Sequence, residues 1–297
     1  MSAAKTDEEP EGGRDARIVL APEERRDTVL AVIGGARSRL ILSIFRCNDF
    51  KVLDAVGEAV QRGVQAEVLL TGRAKGGKRK LQELSEILEN LGASVRSYVD
   101  PVVKYHAKYV VADDSRALVA SLNFTRKCFT RTCDFLVVTR DPAVTDGLRR
   151  LFEADWSGPS AVFPEDLTPR LVVGPERART QLTHLLEQAR RSIRIIDPKL
   201  SDPAMIELLK ARRADGIAVT IGDGAAGGLI PHGKLILVDD QVAVIGSLAL
   251  SALSLDFRRE VSLVVRDRKA VARLVDFFGT AVSEETARAA SALLNES

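Results

Sequence analysis

The stretch Tyr105-His106-Ala107-Lys108-Tyr109-Val110-Val111-Ala112-Asp113, continuing to Ala120-Ser121-Leu122-Asn123, decides the reading of this chain. His106 and Lys108 stand two residues apart in an apolar, β-branched run. An extended strand puts positions i and i+2 on one face, so an imidazole and an ammonium project side by side. Asp113-Asp114-Ser115 is a turn signal. Arg116 to Ala120 then reads as a return strand that delivers Ser121 and Asn123 beside the same face. One titratable nitrogen, one positive charge and a pair of hydrogen-bonding side chains form a cluster that suits a phosphate.

A second copy strengthens this reading. His232-Gly233-Lys234 is followed by Asp239 and then by Gly246-Ser247, at the spacings that separate His106, Lys108, Asp113, Ala120 and Ser121. The chain has only three histidines, and two of them open these copies. The spacing (HxK, four residues, Asp, six residues, Gly-Ser-x-Asn) resembles the signature of the phospholipase D superfamily. That family includes phospholipases, cardiolipin and phosphatidylserine synthases, and several nucleases. The first copy departs at Ala120, where the pattern has Gly, and the second at Ala249, where it has Asn. The family also carries an acid eleven positions after the Asn position, which orients the histidine; Asp134 and Glu260 stand at that offset.

The surrounding elements repeat as well. Leu171-Val-Val-Gly-Pro-Glu176 echoes Ile18-Val-Leu-Ala-Pro-Glu23, and Ser192-Ile-Arg-Ile-Ile-Asp197 echoes the strand at Leu40. The first pair is 153 residues apart and the HxK motifs are 126 apart. The difference of 27 falls between Val68 and His106, where the first half has an extra helix through Leu81, Leu84, Leu88 and Leu91. Strands alternating with helices imply mostly parallel sheets flanked by helices. The chain therefore reads as a duplicated α/β unit with one lobe trimmed. The expected division is a disordered tail at 1–16, lobe one at 17–156, a turn-rich linker at 157–169, lobe two at 170–280 and a helical tail at 281–297. The resemblance implies that the lobes face each other across a pseudo-twofold axis.

At 297 residues there is ample core for either one large domain or two modest ones. The apolar fraction of 45% with ten Phe, three Tyr and one Trp describes an aliphatic interior. A net charge of +2 names no polyanionic partner, so any basic character is local. Met1 to Asp15 is polar and offers no export signal, and no apolar run reaches the length of a membrane span. Three cysteines (Cys47, Cys128 and Cys133) make no disulfide framework. A cytoplasmic protein is expected, with peripheral membrane contact left open, acting as a monomer whose site lies between its lobes.

The resemblance implies a catalytic set of His106, Lys108, His232 and Lys234, with Asn123, Ser121 and Ser247 binding the substrate phosphate. Asp134 and Glu260 would orient the imidazoles. Asp113 and Asp239 are grouped with them as supporting residues, although their turn positions make turn formation their first task. No Cys/His cluster has metal-ligand spacing, so neither metal nor cofactor is expected. One histidine would attack phosphorus to form a phosphohistidine, and the other would protonate the leaving alcohol. Lobe one holds the fuller constellation, His106, Lys108, Ser121, Asn123 and Asp134, so His106 is the expected nucleophile and His232 the general acid.

Other features read more plainly. The basic run from Arg73 to Lys80 is a solvated loop or, more sharply, a contact for phosphate backbone or anionic headgroups. The loop Gly222–Gly228 lacks the Lys-Ser/Thr of a nucleotide cradle and reads as a flexible lip beside His232. His184 is a helix residue. Overall resemblance favours a phospholipid substrate, as in phospholipase D or cardiolipin synthase. The alternatives are a nuclease acting on DNA or RNA and a non-catalytic phosphate- or nucleic-acid-binding protein with a degenerate second motif.

Overall fold

The structure, a computed structural model, describes residues 16–73, 77–222 and 224–282. The expected tails, 1–16 and 281–297, lie almost wholly outside the described residues. The first half forms a seven-stranded sheet in the order Arg17–Val19, Leu136–Thr139, Arg116–Ala120, Tyr109–Ala112, Arg39–Ile44, Gln65–Thr71, Ser94–Tyr98. The second half repeats that order with Leu171–Gly174, Arg258–Val265, Val242–Gly246, Lys234–Val238, Ser192–Ile196 and Ala218–Gly222. The helix Lys78–Asn90 and the edge strand Ser94–Tyr98 have no counterpart there, which is where the sequence loses its 27 residues.

The α/β architecture with helix-flanked sheets is as the sequence implies, but the sheets are mixed rather than mostly parallel. Within the two strand orders above, the parallel pairs are Arg39–Ile44 with Gln65–Thr71, Gln65–Thr71 with Ser94–Tyr98, and Ser192–Ile196 with Ala218–Gly222. These are the strands joined by helical crossovers. The HxK strands instead return through tight hairpins, which force antiparallel pairing. Each hairpin carries two aspartates at positive φ, Asp113 and Asp114 in one and Asp239 and Asp240 in the other. Ser115 N donates to Ala112 O and Gln241 N to Val238 O, closing type I′ turns.

Helix starts follow familiar chemistry. Asp141 and Asp202 cap helices that open with a proline, Pro142–Ser157 and Pro203–Ala214. The helix after Arg39–Ile44 begins at Phe50 with Asp49 at its N-cap. Asn48 Oδ1 is taken by Arg126 N at 3.1 Å.

Alternation along the strands builds three cores. Val110, Ala112, Leu118 and Ala120 pack under the helices of the first half, and Ile236, Val238, Val242 and Val244 do so in the second. The intervening residues, Tyr109, Val111, Val119, Leu235, Leu237 and Ile245, belong to one shared cluster between the two sheets. Each sheet thus buries both faces, one against helices and one toward its twin. This explains why the HxK strands are continuously apolar. No described helix is long and apolar enough to cross a membrane.

A buried ionic group pins the halves together. Arg259 Nε donates to Asp155 Oδ1 at 2.8 Å, and its guanidinium also grips Glu176 and the Gly174 carbonyl. Asp155 lies on the last turn of Pro142–Ser157, whereas Arg259 and Glu176 belong to the second half. Removing one partner of such a group strands a buried charge. Arg259→Ala is therefore expected to lower stability by about 3–5 kcal/mol in urea unfolding. A loss under about 1 kcal/mol would mean that the group contributes little.

Candidate active site

Two short parallel ladders between the halves build the site. Lys104–Tyr105 pairs with Arg258 and Arg259, and Ile230–Pro231 pairs with Thr132 and Cys133. Backbone bonds continue both ladders: His106 N donates to Arg259 O at 2.9 Å and Gly233 N to Cys133 O at 2.7 Å. One residue further along each register, His106 faces Glu260 and His232 faces Asp134. Gly233 is required by this approach, since a Cβ there would lie 2.7 Å from Cys133 O. His106 and Lys108 thus sit where the chain crosses from the second sheet to the first, between strands rather than within one.

The acids serve the opposite histidines. His232 Nδ1 lies 2.8 Å from Asp134 Oδ1, and His106 Nδ1 lies 3.2 Å from Glu260 Oε1. The expected grouping of His106 with Asp134 in one lobe is corrected to a crossed one. This crossing joins both HxK copies into one centre.

The two acids are stabilised differently. Asp134 accepts from Ser121 Oγ at 2.6 Å and Thr132 Oγ1 at 2.5 Å. Burial alone would raise its pKa, but the bonds from His232, Ser121 and Thr132 hold it below the usual carboxylate range. Glu260 is fully buried, and among the described residues neither of its oxygens accepts a well-aligned hydrogen bond. Burial would raise its pKa too, yet the contact with His106 and the charges of Lys108 and Lys234 bring it down to about 2.

Burial first, and then the neighbouring Lys108 ammonium, bring His106 down to about 3 against the pull of Glu260. Its ring is therefore neutral near pH 7, with Nδ1–H directed at Glu260 Oε1. Nε2 is the nitrogen left for a substrate. Burial, with Lys234 and Lys199 nearby, lowers Lys108 to about 7 despite Glu260. An arriving phosphate anion reverses that penalty. Lys108 and Lys234 each donate to the carbonyl of the histidine two residues before, which fixes both ammonium groups beside the imidazoles.

Several residues expected at the phosphate lie elsewhere. Ser121 Oγ is turned into the protein, donating to Asp134 and accepting from Phe135 N at 2.9 Å. Ser247 Oγ exchanges bonds with the backbone of Val261. Both hydroxyls are buried, so they support the site from behind. Asp113 and Asp239 sit at the far ends of the HxK strands, about 16 Å from the lysines at the usual rise of a strand. Asp113 accepts from the backbone of Arg37, Ser38 and Arg39, and Asp239 from that of Arg190, Arg191 and Ser192. They staple each hairpin to the start of the next strand and do not support the histidines. Asn123 is half-buried, and its buried Oδ1 has no partner among the described residues.

The structure adds groups that motif spacing did not reveal. Phe45 packs its ring 4.3 Å from that of His106, with Lys108 Nζ and the Arg46 guanidinium 5.2 and 5.3 Å from its centroid. Lys199 approaches from the other half and acts electrostatically on Lys108 and Lys234. Arg46 and Lys199 are separated by 153 residues, the offset of the repeated strands, so the duplication itself could have found them. The expected basic run divides. Residues 74–76 lie outside the described residues, Arg73 ties down the carbonyls of Asp100, Pro101 and Val103, and Arg79 pairs with Glu83.

Cys128, Asp134 and His232 place ligand atoms within 4.8 Å of one another, a convergence that sequence spacing could not show. The surroundings suit a carboxylate–imidazole pair better than a cation. Asp134 already accepts from Ser121, Thr132 and His232, and the buried Arg25 guanidinium acts on both Asp134 and Cys128. A surface cavity of about 1010 Å³ is lined by residues that include Arg190, Arg191, Arg212 and Asp239. It opens at the far end of the second HxK strand, away from this chemistry.

The family model described as "Cardiolipin synthase, PLD-like domain" matches residues 29–156. Cardiolipin synthase 1 of Bacillus cereus is 26% identical over 134 residues, covering 44% of this chain and 26% of that protein. The match thus spans about a quarter of that relative's length. Among solved structures, polyphosphate kinase from Porphyromonas gingivalis is similar with a TM-score of 0.73 at 18% identity, over 90% of this chain and 50% of that one. Phosphatidylserine synthase from Haemophilus influenzae has a TM-score of 0.69 at 13% identity, over 89% and 85% of the two chains. At these identities the two structures share a fold with this chain.

Crossed pairing has a consequence for mutants. Asp134→Asn should couple to His232→Ala, the double variant being no worse than His232→Ala alone, whereas Asp134→Asn combined with Glu260→Gln should be far worse than either. Turnover of an activated phosphodiester measures both, and coupling of Asp134 to His106 instead would contradict the crossed geometry.

Proposed function

We propose that the chain, which belongs to the phospholipase D superfamily, is a phosphodiesterase or phosphatidyltransferase that works without a metal through a phosphohistidine and acts on phospholipids. The observation that carries this reading is the pair of imidazoles, each held through Nδ1 by the opposite half's acid, with a buried lysine beside each. A phosphodiester resists attack because its charge repels nucleophiles. Preorganised cations remove that repulsion without reorganising during the reaction. Lys108 and Lys234 supply them, and Asn123 offers a polar group alongside.

His106 is the nucleophile in this reading. Its neutral ring presents the Nε2 lone pair, which forms the P–N bond as the P–O bond to the leaving alcohol breaks. His232, held against the ionised Asp134, gives its proton to the departing oxygen. Water or a second alcohol then loses a proton to His232 and attacks phosphorus, and the P–N bond breaks to free His106. Water gives hydrolysis, and an alcohol gives transfer of the phosphatidyl group. Lipid is favoured over nucleic acid by the segments leading to His106 and Glu260, where Val102 and Phe257 are exposed close to Lys104 and Arg258. An apolar rim with cations suits an amphiphile.

Labelled phospholipid vesicles, single- and double-stranded DNA, and RNA offered to the wild type and to His106→Ala test the substrate class. Release from vesicles alone, lost in the variant, is the expected result; cleavage of nucleic acid alone would transfer the site to a nuclease. With an activated aryl phosphodiester, His232→Ala should still trap a phosphoenzyme on His106, and His106→Ala should trap none. Label on His232 would reverse the assignment. Turnover should survive EDTA. Loss on chelation with recovery on adding a divalent ion would overturn the metal-free course.

A further inference from the structure

At the end of the second sheet away from the imidazoles, arginines gather around a groove. The cavity of about 1010 Å³ adjoins one of about 600 Å³, since Arg191, Asp239, Gln241 and Arg266 line both. Arg190 and Arg212 line only the larger, and Arg268 only the smaller. The guanidinium groups are thus strung along an elongated depression. Among the described residues, the large apolar side chains that the protein exposes all lie elsewhere.

The first half is a control within the chain. Asp113 accepts from the backbone of Arg37, Ser38 and Arg39 as Asp239 does from that of Arg190, Arg191 and Ser192, so the two ends match residue for residue. Where the second half has Arg191, Arg212 and Arg268, the first has Ser38, Ala59 and Pro142. The fold therefore does not require these arginines. Their charges are also unevenly met. Arg212 pairs with Asp215, Asp240 is taken by Arg194, and Arg191 donates to the Asp239 carbonyl beside that residue's carboxylate. Among the described residues, the side chains of Arg190, Arg266 and Arg268 make no hydrogen bond or ion pair, and Glu187 is the lining acid left to face them. Arg268 and Lys269 moreover open the helix Arg268–Ala281, whose first turn holds no acid. Cations are disfavoured at that end of a helix dipole, and an anion is favoured there.

We propose that this groove is a second anion site, separate from the diesterase centre, which holds a soluble ligand carrying a run of phosphates, either a nucleoside triphosphate or a free oligophosphate. A single phosphate would meet only part of the groove, because Arg190 and Arg268 line different ends of it. A chain of phosphates meets Arg190, Arg266 and Arg268 together. Guanidinium forks suit it, since each offers parallel N–H donors to a pair of phosphate oxygens. A bilayer fits less well. The depression is concave, has no exposed large apolar side chain in its lining, and opens at the end of the Lys234–Val238 strand opposite to Lys234.

Calorimetric titration of the full chain with inorganic triphosphate tests the site, and no readout in it requires turnover. Triphosphate should bind about tenfold or more tighter than orthophosphate. Arg191→Ser combined with Arg268→Pro installs the first half's residues, with proline at a first helical position that accepts it. This variant should bind triphosphate about tenfold or more weakly while keeping its urea midpoint. Arg266→Gln, a change at an exposed side chain, should weaken binding about threefold or more. Lys234→Ala, at the diesterase centre, should keep the affinity of the wild type. Loss in Lys234→Ala with retention in both arginine variants would place the ligand in that centre and overturn the second site. Absence of saturable binding, or equal affinity for orthophosphate, would overturn it too. Of the two sources, ATP binding as tightly as triphosphate supports a nucleotide, and ATP binding about tenfold more weakly supports a free oligophosphate. Displacement of triphosphate by phosphatidylglycerol vesicles or by oligouridylate at lower phosphate concentration than ATP would overturn the assignment to a small soluble ligand.

Discussion

The active centre depends on the register of two short ladders. Each joins a segment leading into an HxK motif to the segment leading into the other half's acid. A shift of one residue would turn every side chain to the opposite face. Register is held by what surrounds the ladders. Gly233 admits Cys133 O, Arg259 anchors one ladder through Asp155 and Glu176, and Arg25 donates to Thr132 O at 2.6 Å beside the other. Packing between the sheets and the chemistry of the centre are thus one construction, since the strands that share the apolar layer also deliver the charged residues at their ends.

Within that frame the symmetry is broken in three places. Asp134 is fixed by hydroxyl donors, whereas Glu260 is stabilised by surrounding charge. Asn123 is matched by Ala249, whose backbone N–H is taken by Ser254. Lys104 and Arg258 are matched by Ile230 and Thr132. Such differences let related imidazoles take different parts. A firmly held ring suits proton delivery, and a neutral ring among cations suits attack on an anion.

Much of this was legible in the sequence, and what was not has a physical reason. The HxK spacing and the offsets of 126 and 153 residues expose the duplication, the trimmed second half and, with hindsight, the matched Arg46 and Lys199. Crossed pairing was not legible. The ladders that impose it are two residues long, and they join His232 to an acid 98 residues away. Mixed pairing was hidden because strands buried on both faces look alike whether parallel or antiparallel. Ser121 and Ser247 misled because the motif fixes their place in the chain but not which way a hydroxyl turns. Asp113 and Asp239 were half legible: their turn positions told the truth, and their place in the motif did not.

The claim on which the rest depends is that both halves make one centre, and a crystal structure with orthovanadate tests it most directly. The expected result is one vanadate per chain, bonded to Nε2 of His106, contacted by Lys108 and Lys234, with His232 on the opposite side and still paired to Asp134. A separate vanadate at each HxK motif, with Asp134 turned toward His106 and Glu260 toward His232, would contradict it.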